Sequence, residues 1–236
     1  MKTSLRISAF SFAIIASSMS LLLSGCETGD DRTLAAGQAC LDSATQSTAA
    51  QCATIVQGLT SQESYLIRCS ANFVSQGFTG SRVANAVANI NTHTGTDATT
   101  GLIAYLIFAK LTPTVDEAIT NCTASGSKSL LRLATAAKLA TTLAIAAGSL
   151  ATFDPPGASA DTQMQTVVNN LIASGPPAQQ ATDIGNAAVL ANSAYCADGS
   201  TYQGTQVCTD LQTAISSNSG AQAIGNALLQ LLKAAH

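Results

Sequence analysis

The sequence predicts an all-α protein, a compact helical bundle or irregular helical array stapled by three disulfides, on three observations. Strand signals are weak: β-branched residues are mostly isolated Thr, alternation never runs beyond a few residues, and no Asn-Gly hairpin turn occurs. Helix punctuation, by contrast, is dense, with hydroxyl residues opening apolar periodic segments and Gly or Pro closing them. The composition, 47% hydrophobic and 10% charged, is that of a folding chain even though Ala, Thr, Ser, Asn and Gln dominate it.

Taken in chain order, Ser61 before Gln62-Glu63 opens a segment with Tyr65, Leu66, Cys69 and Phe73 at helical spacing, and Gly77 can close it. Val83, Val87 and Ile90 mark another segment; Leu102 to Leu111 is a short apolar stretch. Thr112-Pro113 offers a cap with a first-turn Pro, and Thr114 to Glu117 a capping box. The longest helix is expected from Ser129 to Thr152. At 100° per residue Lys128, Thr135, Lys138, Thr142 and Ser149 form one narrow polar stripe, with Leu133, Leu139, Leu143 and Leu150 outside it. Such a helix belongs in the centre of a bundle. As a membrane span it would put Arg132 and Lys138 in hydrocarbon.

Asp154-Pro155-Pro156-Gly157 is the clearest break in the chain. Helices are expected beyond it at Met164 to Ile172, Ala178 to Ala194 and Thr209 to Ala235, with Gly175-Pro176-Pro177 ending the first. Residues 35–236 are read as a single domain, and 154–160 as the place where it could divide. Ile184-Gly185-Asn186-Ala187 recurs as Ile224-Gly225-Asn226-Ala227, with Val83-Ala84-Asn85-Ala86 a looser echo. Small residues one turn apart let helices approach closely; two copies are too few for a solenoid.

The first 25 residues have another character. Lys2 and Arg6 precede an apolar stretch from Ile7 to Leu23, and Leu23-Ser24-Gly25-Cys26 follows as a small-residue cleavage site. This end of the chain resembles the lipobox signal of bacterial lipoproteins. The resemblance implies that residues 1–25 are a signal peptide, and that the Cys26 thiol is alkylated by a diacylglycerol before the cut. Its new amine is then acylated, with chains such as palmitate. No family resemblance extends to the mature domain. Several acyl chains, each buried methylene contributing about 0.8 kcal/mol, make release from a membrane very slow. Residues 26–34, with Glu27, Asp30 and Asp31, are expected to be a flexible acidic tether. In the sorting pattern of enteric lipoproteins an Asp directly after the lipidated Cys favours the inner membrane. Glu27 departs from that, which implies the outer membrane, at its periplasmic face or at the cell surface.

Without residues 1–25 the chain carries 8 Lys and Arg against 13 Asp and Glu, a formal charge of −5. So acidic a surface argues against nucleic acid as a partner. With Cys26 used for lipid, Cys40, Cys52, Cys69, Cys122, Cys196 and Cys208 remain. An even number outside the cytoplasm reads as disulfides. A metal site would want CxxC pairs or clustered His, and the His residues are His93 and His236, so neither metal nor cofactor is expected. Eleven residues separate Cys40 from Cys52, and eleven separate Cys196 from Cys208. Sliding the chain by 156 positions matches Asp42 with Asp198, Thr45 with Thr201, Ser61 with Ser217 and Ala71 with Ala227. Either a helix-loop-helix unit occurs twice, or two Ala/Ser/Thr-rich segments coincide. A repeated unit pairs Cys40 with Cys52, Cys196 with Cys208, and leaves Cys69 for Cys122.

Catalytic frames are not found. His93 in the polar loop Asn91 to Asp97 is the candidate base, and no Gly-x-Ser-x-Gly elbow presents a serine to it. Ser125-Gly126-Ser127-Lys128 matches the Ser-x-x-Lys of penicillin-interacting enzymes without their further motifs, and reads as a helix cap. Tyr195 and Tyr202, beside and within the Cys196 to Cys208 loop, form the candidate contact loop, a stapled polar loop with an exposed ring. The expected function is a non-catalytic binding or structural role in the envelope. The partners are the membrane, through the N-terminal lipid, and an unknown envelope protein or glycan. An envelope hydrolase and an inert surface coat are the alternatives.

Overall fold

The computed structural model describes residues 28–78, 105–108, 114–148, 160–197, 200 and 203–234; the described residues form nine α-helices and no strand. The signal segment, Cys26, His93, the 83–90 segment and Tyr202 lie outside them.

Helix α1 (Gly29–Asp42) starts earlier than the sequence suggests. Thr28 caps it: its Oγ1 accepts from the Asp31 N–H (3.2 Å) while its own N–H donates to Asp31 Oδ2 (3.0 Å). The stretch expected as a flexible tether, 26–34, is therefore helical from Gly29 onward. Its acids are a first-turn pair that suits the positive end of the helix dipole. The Thr28 hydroxyl first, and its N–H second, hold the Asp31 carboxyl below its usual value of 3.8.

A turn in which the Thr45 N–H donates to Thr48 Oγ1 (2.9 Å) leads into α2 (Ala49–Ile55). Across it Cys40 bonds Cys52, with Cα atoms 5.4 Å apart. Helix α3 (Gln62–Ser75) opens at Ser61, whose Oγ accepts from the Ser64 N–H. It closes at Gly77, where φ is 77° and the Phe78 N–H reaches the Phe73 carbonyl. Helix α4 (Val115–Ala124) is capped by Thr114 through the Glu117 N–H, and α5 (Lys128–Ala146) by Ser127. Cys69 of α3 bonds Cys122 of α4.

The expected helix Ser129 to Thr152 begins one residue sooner and ends at Ala146, because Gly148 turns out of it at φ 64°. Among its residues Lys128, Ser129 and Ile145 alone are exposed, so it is buried around most of its circumference. Thr135, placed by the sequence on the polar stripe, is fully buried and donates to the Arg132 carbonyl (3.0 Å). A helix of this length and apolarity could cross a membrane by composition alone, but here α4, α6 and α7 pack on it.

Helices α6 (Ala160–Ser174) and α7 (Ala178–Tyr195) are separated by Gly175 at φ 65° and two prolines. The segment Thr209 to Ala235, expected as one helix, is two: α8 (Gln206–Ser216) and α9 (Ala221–Ala234). Ser217-Asn218-Ser219-Gly220 breaks it, with Gly220 at φ 88° and the Asn218 amide donating to the Ala214 carbonyl. Cys196 bonds Cys208 across the α7–α8 loop, again at 5.4 Å between Cα atoms.

One continuous apolar core runs from Phe73 and Cys69 of α3 through α4 and α5 to Val168 and Leu171 of α6 and the buried faces of α7, α8 and α9. It thus spans both sides of residues 154–160. Leu106, Ile107 and Phe108 enter it; the Phe108 N–H donates to Thr141 Oγ1 (2.9 Å), and its ring meets those of Phe73 and Phe78 at 5.4 Å. Arg132 ties α5 to the end of α7 by donating to the Ala194 carbonyl, where a cation suits the helix dipole. Among the described helices the most extensive contact joins α7 to α9, and the glycines of the repeated Ile-Gly-Asn-Ala lie at it. A Cβ added at Gly185 would run into the Ala221 carbonyl, and one at Gly225 into that of Ala181.

Candidate functional site

A set of fixed polar groups lies where α2, α3 and α4 line one groove. It is built from the start of α3. Ser64 Oγ donates to the carbonyls of Leu59 (3.0 Å) and Ser61 (2.7 Å), locking the turn from α2. One helical turn on, Arg68 donates from Nη2 to Leu59 O (2.6 Å) and Ser64 Oγ (3.0 Å), and from Nε to Ser64 O (3.3 Å). Its guanidinium also stacks 4.0 Å from the centre of the Tyr65 ring. The group is held from three sides by neutral oxygens, and no carboxylate among the described residues forms an ion pair with it.

A further turn on, buried Asn72 links the helices. With its amide nitrogen toward the Arg68 carbonyl, its oxygen accepts from Asn121 Nδ2 and the Ala118 N–H, each at 3.2 Å. The Cys69–Cys122 bond sits beside this network, Cα atoms 5.0 Å apart, so the floor is fixed covalently as well. Above it opens a groove of about 470 Å³ whose lining includes Gln46, Gln57, Arg68, Glu117 and Asn121. One cation with no carboxylate partner among the described residues, one carboxylate and several amides can hydrogen-bond carboxylates, amides or hydroxyls. Among the described lining residues no nucleophile is hydrogen-bonded to a base.

A second groove, about 420 Å³, runs between α5 and α7 over Thr142, Ile145, Asn186 and Leu190. Lys138, at its edge, pairs with Asp116 of α4 at 2.8 Å. Ile145 is 56% exposed there.

Of the expected contact loop, Tyr202 lies outside the described residues and Tyr195 is described. Tyr195 is 8% exposed and belongs to the core, on the same stripe of α7 as Ile184, Ala188 and Ala191. Ser200 stays close by, donating to the Tyr195 carbonyl (2.7 Å). Ser125 of the Ser-x-x-Lys match is spent on the backbone, donating to the Cys122 carbonyl (2.7 Å). Among the described residues no three His, Cys, Asp or Glu side chains are grouped to hold a metal. Sequence reasoning missed the Arg68–Asn72–Asn121 network; the i, i+4 spacing of Arg68 and Asn72 on the α3 helix was its available signal. No protein-family model, curated protein or solved structure matches this chain.

Proposed function

We propose that the chain is a lipid-anchored, non-catalytic protein of the bacterial cell envelope, an outer-membrane lipoprotein that binds an envelope protein or glycan. The observation that carries this reading is the set of three disulfides, Cys40–Cys52, Cys69–Cys122 and Cys196–Cys208. Thiols so paired favour an oxidising compartment, which supports export from the cytoplasm. The sequence offers the means, an n-region, an apolar stretch and Leu23-Ser24-Gly25-Cys26, and the seventh cysteine is the one left out of the disulfides. The groove over Arg68 is the binding surface on this reading. Its donors are pre-positioned, which lowers the ordering cost of binding.

Cys26→Ser tests the anchor, because alkylation of the thiol precedes cleavage. The variant is expected to accumulate as an unacylated precursor that keeps residues 1–25. Recovery of the variant as normally processed, membrane-anchored protein would end the lipoprotein reading. Hydrolysis of peptidoglycan, esters or peptides by the purified wild type would end the non-catalytic part.

A further inference from the structure

We propose that the folded domain is seated directly on the bilayer, the end of α1 and the α2–α3 turn lying against the phospholipid headgroups. This rests on the lipid anchor proposed above and adds where the domain stands relative to it. The proposed anchor meets one observation of the fold. On that anchor, cleavage before Cys26 would make it the acyl-bearing residue. The reciprocal Thr28–Asp31 bonds start α1 at Gly29. Glu27 alone separates the acylated residue from the cap. Two residues of fully extended chain span about 7 Å at most, so Thr28 cannot rise further than that above Cys26.

What comes down with Thr28 is set by the fold. Helix α1 packs on α2 and α3, and the turn between those two lies beside its first turn. Thr28, Asp30, Asp31, Gly58, Thr60 and Glu63 line one depression of about 750 Å³. Covalent reach, not affinity, holds this face at the membrane. Its three carboxylates match the zwitterionic headgroup layer better than an anionic one. The groove over Arg68 belongs to the same α2–α3 pair, so a partner would meet it close to the membrane surface.

The chain contains no Trp, which makes a single introduced indole a clean reporter. Thr60 is exposed in the depression, and Gln222 is exposed on α9, whose packing neighbours are α6, α7 and α8. Full-length Thr60→Trp and Gln222→Trp proteins would be purified from membranes, checked for helix by circular dichroism, and placed in phosphatidylcholine vesicles carrying headgroup spin-labelled phosphatidylcholine. Fluorescence loss is expected for Thr60→Trp and not for Gln222→Trp. Inserting about ten Gly and Ser residues between Glu27 and Thr28, a root-mean-square span of about 17 Å, should restore the Thr60→Trp signal. Mass spectrometry of the N-terminal peptide separates the two ideas. A lipidated peptide with no quenching at Thr60→Trp, or with quenching unchanged by the insertion, overturns the seat alone. A peptide without lipid overturns the anchor and the seat together.

Discussion

Gly185→Ala is expected to destabilise the protein by about 3 kcal/mol or more, at or beyond the upper end of ordinary overpacking. The methyl group meets the carbonyl oxygen of Ala221, and Gly225→Ala meets that of Ala181 in the same way. A side chain in the path could turn aside, but a helical carbonyl can yield only if α7 and α9 move apart. Moving them apart would loosen Ile184, Leu228, Leu229 and Leu232, all of them in the core. Gly37 supplies the contrast: a Cβ there would lie 2.5 Å from a methyl of buried Val56, a side-chain atom and not a helical carbonyl, so Gly37→Ala should cost less than Gly185→Ala. Gly58, with nothing near its missing Cβ, should tolerate Ala with little change. Urea midpoints at unchanged slope measure all four. Equal midpoints for Gly185→Ala and Gly58→Ala would contradict the close packing of α7 on α9.

Cys69→Ala with Cys122→Ala should lower stability more than removal of either other disulfide. Its closed loop has a sequence separation of 53, against 12 for each of the others. On the chain-entropy model that is about 4 kcal/mol against about 3 for a short loop. Packing adds to the difference, since Cys69 and Cys122 are both fully buried and hold the helices that Asn72 and Asn121 bridge. Thermal and urea unfolding of the three double variants, made in an oxidising compartment, gives the order. A larger loss on removal of Cys40–Cys52 or Cys196–Cys208 would show that loop length does not govern here.

Much of the helical layout can be read from local chemistry. Ser61 and Thr114 cap the helices they precede, and Gly77 and Gly175 end those they follow, because a hydroxyl oxygen and a missing Cβ act within one turn. The equal Cys spacing led to the observed disulfides for a similar reason: in each case one helix ends near the first Cys and the next begins near the second. What failed needed finer phase or tertiary context. Ser217 to Gly220 carries turn chemistry, yet the apolar periodicity of Leu211, Ile215, Leu228 and Leu232 on either side reads as continuous. Tyr195 stands beside the stapled loop in sequence, yet its spacing from Ala191 and Ala188 puts it in the core. Asp30 and Asp31 are as suited to a solvated linker as to a first helical turn; the reciprocal bond from Thr28 decides for the helix. The i, i+4 spacing of Arg68 and Asn72 puts both on one face of α3, but the groove itself depends on α2 and α4 packing there, which local spacing does not encode.

Mass spectrometry of the protein isolated from membranes without reduction tests the central claim most directly, because export, lipidation and oxidation are read on one molecule. The expected N-terminal peptide begins at Cys26 and carries diacylglycerol and an amide-linked acyl chain, and the expected cross-linked peptides join Cys40 to Cys52, Cys69 to Cys122 and Cys196 to Cys208. An unmodified chain that still begins at Met1, with free thiols at those six positions, would contradict it.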